Sequence, residues 1–362
     1  MGVIASSSVG RARERRPFAA GSVKSRKYPK PIWALIVLGR FLRCYGHFLR
    51  TGRNTPGGQA EMRRLFRLTR GRFNDACARL ERLAHPPRRF SSSTGVLGDL
   101  PPRSANQIAG VLRRDGLCRF ETRLSPDVCR RLRRFAEQAP CRVHPSPSSD
   151  GPLVIFDPNN PAGTRYQVDV QSLHQNGDVQ QLIADTSLLA MAQDYLGAQP
   201  ACLGAEMWWS TAFADQPCSE SAQLFHFDMS QLKFLKVFIY LTDVDEHQGA
   251  HTFVIGSHRR PPRTLLADRR YDDDEILRHY PAERIVPIYG AAGSIFAEDT
   301  RGFHKGSALQ HGHRLILQLL YAINHFGEPL EPIRLNNPVR PECLRMIQRY
   351  PYVYRRFQYT QA

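Results

Sequence analysis

The chain has 362 residues, 42% hydrophobic and 23% charged, with a net charge of +17. That length can bury a full core without a disulfide or metal staple, and the eight cysteines contain no Cys-x-x-Cys pair, which excludes a disulfide scaffold or zinc ribbon and points to reduced thiols in the cytoplasm. Residues 1–100 hold 21 Lys/Arg against five Asp/Glu, while 101–362 are almost balanced, so a basic arm precedes a near-neutral body.

Such an arm suits an anionic partner, a membrane surface or an acidic glycolipid; a nucleic acid is not expected. Residues 1–30 show no apolar periodicity and read as disordered. Their start, MGVIAS, matches the myristoylation pattern, as many chains do by chance. Residues 31–49, PIWALIVLGRFLRCYGHFL, carry an uninterrupted apolar run of only seven residues, too short to span a bilayer. No cleavage site for a secretory signal follows it. Two readings stay open for this stretch. It is an interfacial helix with Trp33, Leu35, Phe41 and Leu42 in the apolar layer beside arginines, or a helix packed on the body. Residues 40–48, RFLRCYGHF, also loosely resemble a type-2 peroxisomal import signal.

One helix is predicted over 60–85, then a linker over 85–95. The arginines of this helix read as a solvated face or as a basic patch. The body begins near 101. Ser104 is the expected N-cap of a helix over 105–114, and Gly116 its stop. Residues 117–121 read as a strand, and Ser125 with Pro126 opens a second helix. Residues 140–165 read as loop. A third helix is predicted over 178–196, ending at Gly197. Short β-type runs follow at 200–210, 223–229, 233–242, 251–255, 284–289, 293–297 and 313–323, a spacing that suggests a sandwich or barrel. Asp272 to Glu275, DDDE, read as a solvated helix start rather than a metal cluster.

The chemistry begins at FHFDM, residues 225–229. In a strand, His226 and Asp228 project to one face, with Phe227 opposite. An imidazole and a carboxylate on one face are two metal ligands; alone they are also an ordinary polar strand end. His304 follows the apolar strand GSIFA, and Arg314 comes ten residues later, at the mouth of the apolar RLILQLLYA. A guanidinium pointing inward there needs an anionic partner, and a small dicarboxylate would supply one in two-point fashion. Two histidines and one carboxylate are the ligand set of non-haem Fe(II) oxygenases.

The segments HFDMSQLKFLKVFIYLTDVDEHQGAHTFVIGSHR (226–259) and AEDTRGFHKGSALQHGHRLILQLLYA (297–322) resemble the phytanoyl-CoA dioxygenase family of Fe(II)/2-oxoglutarate-dependent oxygenases. The likeness covers roughly 104–325. It implies a mostly β fold with flanking helices, a double-stranded β-helix or jelly-roll barrel of the cupin kind. It implies Fe(II) held by His226, Asp228 and His304, with 2-oxoglutarate as cosubstrate and O2 as oxidant. Arg314 would hold the distal carboxylate of 2-oxoglutarate. Thr252 falls at a cosubstrate-side position. Lys236 reads as an outward, solvated lysine or as an inward one reaching a cosubstrate carboxylate; Lys233 reads as outward. Gly306 stands where relatives often carry a polar residue. The other histidines nearby, His247, His251, His258, His311 and His313, read as polar loop residues.

The expected domains are therefore a basic arm over 1–100, an oxygenase domain over 101–330 and an extension over 331–362. The expected reaction is hydroxylation of an unactivated C–H bond in a small-molecule, lipid or glycolipid substrate, with release of succinate and CO2. Asp228 speaks against halogenation, which needs that ligand position vacated. The rival is a non-catalytic barrel module whose basic arm docks to a membrane or anionic polymer. The expected location is cytoplasmic, with the arm at the membrane periphery; the oligomeric state has no signature in the sequence.

Overall fold

The computed structural model describes residues 29–359, apart from 89, 91–93, 101, 145–150, 214–216, 218, 220 and 337. The stretch read as disordered and its myristoylation pattern lie, over 1–28, outside the described residues. Three helices open the described chain. Helix α1 (Lys30–Thr51) has proline in its first turn and ends at Gly52, whose φ of 69° is left-handed. Helices α2 (Gly58–Thr69) and α3 (Arg72–Ala84) replace the single helix expected over 60–85. The break falls at Arg70 and Gly71, with φ of 54° and 86°, and glycine takes this conformation without steric cost.

These helices are not a detached arm. Val37, Phe41, Phe48, Met62, Leu65 and Phe66 belong to the same hydrophobic core as the barrel. The Phe41 ring lies 5.4 Å from that of Phe326. Asn74 Nδ2 donates to the Leu232 carbonyl at 2.8 Å. The buried Glu81 carboxylate accepts from the Tyr45 hydroxyl at 2.8 Å and from Asn324 Nδ2 at 3.0 Å. The expected linker is also held: the Gln193 side chain bonds the Arg88 N–H at 2.8 Å and its carbonyl at 2.9 Å. The boundary expected at residue 100 therefore separates nothing in the core. Helix α1 is long and apolar enough, by length and composition, to cross a membrane, although its uninterrupted apolar run is the seven residues 32–38. One of its faces is buried through Val37, Phe41 and Phe48, while Ile32, Leu35, Leu42 and Leu49 stay 46–68% exposed on the other.

Next come β1 (Thr94–Gly95), β2 (Gly98–Asp99), α4 (Pro102–Asp115), β3 (Leu117–Arg123) and α5 (Pro126–Gln138). Helix α4 starts before Ser104, which lies inside its first turn rather than at the cap. Helix α5 starts as expected, its Ser125 side chain accepting from the Val128 N–H. The stretch read as loop holds β4 (Pro140–His144), β5 (Val154–Ile155) and β6 (Arg165–Val168). The helix expected over 178–196 is split into α7 (Gly177–Ile183) and α8 (Thr186–Leu196), and a further helix, α6 (Val170–Gln175), precedes it. Asn176 and Asp185 cause the breaks, each capping a fresh N-terminus with its side chain. The remaining elements are β7 (Ala201–Thr211), β8 (Phe234–Tyr240), β9 (His251–Val254), α9 (Asp273–Leu277), β10 (Ile285–Ile288), β11 (Ser294–Glu298), β12 (His304–Gly306), β13 (His313–Ala322), β14 (Ile333–Leu335), α10 (Pro341–Arg349) and β15 (Phe357–Tyr359). Asp272 caps α9 in a reciprocal box with Glu275, so DDDE is a helix start.

Two antiparallel sheets form the body: an eight-stranded one in the order β3-β11-β8-β13-β7-β6-β4-β5, and a three-stranded one, β10-β9-β12. Alternation sorts the large sheet's side chains. Leu235, Val237 and Ile239 of β8, Leu315 and Leu317 of β13 and Trp209 of β7 pack outward into the core shared with the helices. Phe238, Tyr240, Ile316, Trp208 and Phe296 point inward and pack with Phe253 and Ile288 of the small sheet. Both faces are thus covered, as in a jelly-roll with helices outside. The last 30 residues are not an appendage either, because Ile333, Cys343, Tyr354 and Phe357 enter the main core.

Candidate metal centre and cosubstrate site

Residues 223–229 form no ladder strand; isolated bridges fix them instead. His226 and His304 are paired backbone to backbone, with N–H to carbonyl distances of 3.0 and 2.9 Å. The Asp228 N–H donates to the Thr300 carbonyl at 2.7 Å. Strand β12 thus delivers one histidine, and the segment bridged to it delivers the other histidine and the carboxylate. Phe227 turns away from the ligands and stacks on Phe66 of α2 at 5.8 Å, with Phe303 edge-on at 5.7 Å. The metal-bearing segment is therefore backed by the N-terminal helices.

The ligand atoms of His226, Asp228 and His304 all lie within 4.8 Å of one another. Each imidazole has Nδ1 3.0 Å from a backbone carbonyl, Leu224 for His226 and Gly302 for His304. Nδ1 therefore carries the proton, and Nε2 keeps its lone pair for a metal. Burial, followed by the neighbouring His304, pushes His226 well below the ordinary histidine range, so it is neutral. Burial pushes the Asp228 carboxyl up, but Lys236 and His304 outweigh it and hold the group well below the usual carboxylate range. A neutral His226 and an ionised Asp228 are the protonation states a metal requires of them. The donor chemistry, two nitrogens and one oxygen, fits Fe(II).

Lys236 faces inward, with Nζ 2.7 Å from Asp228 Oδ2. The outward reading is corrected, because β8 has no solvent face. Lys233 does face outward, as expected, but is half-buried rather than freely solvated, its ammonium 5.0 Å from the centroid of the Tyr195 ring under the helical layer. Arg314 is 3% exposed and projects inward from β13. Its Nη2 donates to Ser210 Oγ at 3.1 Å, while Nε and Nη1 are buried without a partner. A buried guanidinium with two unused donors is a carboxylate slot awaiting its anion. A Cβ on Gly306 would come within 3.1 Å of Arg314 Nη2, so the missing side chain leaves that slot open. Thr252 is not brought to the inward face. It alternates with His251 and Phe253, which point inward, and its hydroxyl lies 3.1 Å from Ser307 Oγ.

Two inward groups, Glu298 and Arg165, escaped the sequence reading, and His251, read there as a polar loop residue, is instead buried on β9. His251 Nε2 lies 2.8 Å from Glu298 Oε2, and its ring stacks 5.5 Å from that of His304. Burial pushes Glu298 up to about 8, so it is protonated and neutral at pH 7. Arg165 lies 4.4 Å above the Trp208 ring with Nε buried and unpartnered. Only the two-residue alternation of β6 and β11 could have placed Arg165 and Glu298 on the inner face.

The sequence model of the phytanoyl-CoA dioxygenase (PhyH) family matches residues 112–312, a span that holds all three ligands, Lys236 and Thr252. The chain belongs to the phytanoyl-CoA dioxygenase family. Arg314 lies two residues beyond the matched span, on β13. The family's chemistry runs on Fe(II) and 2-oxoglutarate, and the residues assembled here fit both. None of the curated proteins matches the chain. Among solved structures, the chain is similar in fold to the epimerase SnoN of nogalamycin biosynthesis, at 19% identity and a TM-score of 0.46 over 66% of this chain and 96% of that one. It is likewise similar to EctD from S. alaskensis with bound Fe, at 16% identity and 0.46 over 76% and 91%. AviO1 from Streptomyces viridochromogenes Tue57 is similar at 18% identity and 0.43 over 64% and 99%.

Proposed function

We propose that this phytanoyl-CoA dioxygenase family member hydroxylates an unactivated C–H bond of a small-molecule, lipid or glycolipid substrate. The observation that carries the reading is the convergence of His226, Asp228 and His304 beside an inward Arg314 with two unpartnered donors. Bound there, iron and 2-oxoglutarate supply the oxidising chemistry, in which O2 and the cosubstrate yield succinate, CO2 and one oxygen atom for the substrate. The chain's share is to hold and orient. Lys236 keeps Asp228 ionised and places a positive charge at the edge of the metal site, where a cosubstrate carboxylate can share it. Arg314 grips the distal carboxylate, and Ser210 fixes the guanidinium plane. Trp208, Phe238, Phe296 and Ile316 keep the space behind the ligands dry. Asp228 as third ligand favours hydroxylation over halide transfer.

Fe(II) titration and succinate release across substrate classes test this. Asp228→Ala should lose iron binding while the protein stays folded, melting somewhat lower because Lys236 loses its inward partner. Arg314→Lys should raise the KM for 2-oxoglutarate roughly ten- to a hundredfold, the value of one charge-assisted bond. Wild-type iron affinity in Asp228→Ala would sink the ligand assignment. Iron binding without succinate release on any substrate class would leave the non-catalytic barrel standing.

The outer face of α1 is proposed to rest on an anionic membrane surface. Its support is the exposed row Ile32, Leu35, Leu42 and Leu49 on a helix that carries Arg40, Arg43 and Arg50 and follows the basic residues of 1–28. With Val37, Phe41 and Phe48 held in the core, the helix lies along the surface rather than through it.

A further inference from the structure

Outside the barrel, on the helical side of the large sheet, a cavity of about 540 Å³ opens between α3, the end of α8 and residues 258–259. Six cations line it, Arg79, Arg82, Arg113, Lys233, Arg259 and Arg301, and the lining holds one carboxylate, Asp75. Arg301 is already engaged. It is 4% exposed, and it donates to Asp299 Oδ2 at 2.6 Å and to Asp75 Oδ1 at 3.2 Å. Arg113 gives one nitrogen to the Asp194 carbonyl. Among the described residues, the side chains of Arg79, Arg82 and Arg259 have neither a hydrogen bond nor an ion pair, and that of Lys233 has only the face of Tyr195. The Tyr195 hydroxyl is spent on Asp299. Burial and then Arg301 push Lys233 down to about 8. Asp75, the nearest counter-charge, is already shared with Arg301.

Four cations face one cavity, three of them the exposed Arg79, Arg82 and Arg259, and a shared anion would relieve their mutual repulsion. A single carboxylate ligand would answer one of them. A phosphate or pyrophosphate group carries enough charge and enough acceptor oxygens for several, and its tetrahedral oxygens suit converging guanidinium forks. We propose that this cavity binds the phosphate group of a ligand, held by Arg79, Arg82, Lys233 and Arg259. The site is separate from the metal centre, and the proposal does not rest on the hydroxylase reading. It does lie against the back of that centre. Arg301 sits on the turn whose Thr300 carbonyl accepts the Asp228 N–H and whose Gly302 carbonyl meets His304 Nδ1. The phosphate could come from a free phosphorylated metabolite or from a lipid headgroup, since Leu80 and Leu83 of α3 are 66% and 80% exposed beside the arginines.

Calorimetric titration of the full-length protein at low ionic strength tests this with two probes. One is inorganic pyrophosphate, and the other is dihexanoylphosphatidylglycerol below its micelle concentration. One saturable site is expected for at least one probe. Arg79 and Arg82 project from exposed positions of α3, so the Arg79→Ala/Arg82→Ala double variant should melt like wild type. It should weaken binding by at least about tenfold, for the loss of two charge-assisted contacts. The control pair Arg130→Ala/Arg133→Ala on α5, outside the cavity, should change binding by less than about twofold. Pyrophosphate binding assigns the site to a soluble phosphate, and binding of the lipid alone assigns it to a headgroup. Saturable binding of neither probe, or equal weakening by the control pair, overturns the proposal.

Discussion

Phe66→Ala tests whether the N-terminal helices support the metal centre or merely cover it. Phe66 is fully buried on α2 and stacks on Phe227, the residue between His226 and Asp228. Truncating a buried phenylalanine to alanine costs about 3–5 kcal/mol, from lost burial plus the cavity left behind. Against a typical domain stability of about 5–15 kcal/mol, the protein should stay folded but unfold at clearly lower urea. A second effect separates support from cover. With Phe66 gone, Phe227 loses its stacking partner and keeps the edge of Phe303 as its remaining ring contact, so the segment carrying two ligands gains rotational freedom that metal binding must remove. Fixing one residue's backbone costs about 1–2 kcal/mol, so Fe(II) affinity should fall roughly five- to thirtyfold. Phe48→Ala is the comparison, because Phe48 is equally deep in the helical layer but packs on Phe326, away from the ligands. Urea unfolding and Fe(II) titration of both variants decide the matter. If both lose stability and both keep wild-type iron affinity, the helices do not position the ligands and the reasoning fails.

Two further outcomes are expected. The Leu35→Ser/Leu42→Ser double variant should keep its melting point, since both side chains are exposed, and should lose at least about tenfold of its co-sedimentation with phosphatidylglycerol vesicles; unchanged sedimentation, or a wild-type dimer that the variant abolishes, would place another surface or a second copy of the chain against α1. His174 is fully buried, accepts the Ala205 N–H at Nε2 and has Nδ1 on the Val170 carbonyl, and burial holds it down to about 4. Because the unfolded chain binds this proton near pH 6.5 and the folded chain only near 4, stability should fall as pH drops through that window, by roughly 3 kcal/mol from this residue. The stability gap between wild type and His174→Asn, read from urea midpoints, should therefore narrow from pH 7 to pH 4.5; a constant gap would refute the assignment.

What could be read from the sequence was whatever is decided locally. Ser125 and Pro126 announce α5 because a cap and a first-turn proline act within four residues. The HxD pair and the later histidine are legible because their chemistry is rare in combination. Helix breaks were harder. Apolar periodicity runs straight through Arg70 and Gly71, and the breaks at Asn176 and Asp185 depend on capping that competes with continuation. The direction of Lys236 was hidden for a different reason. In a sheet covered on both sides, apolar residues occupy both alternating sets, so parity names two faces but not which one holds the metal. His251 and Glu298 lie 47 residues apart, and only the fold makes them a pair. The N-terminal arginines were misread as an arm because charge is counted along the chain, while Val37, Phe41, Met62 and Phe66 work one face at a time.

The reciprocal bridge between His226 and His304 ties two positions far apart in sequence by their own main-chain groups. Their spacing is set by peptide geometry and not by the length of chain between them. The connecting loop 241–250 can therefore be lengthened, shortened or exchanged without moving one histidine relative to the other, whereas 259–284 carries Tyr271, whose own bridge to Phe225 helps hold the ligand segment. Loop grafting from another family member into 241–250 should leave iron binding intact, while a graft into 259–284 should weaken it unless the Tyr271 bridge is kept. The bridge works as a clasp that lets substrate choice drift while the metal chemistry is held constant.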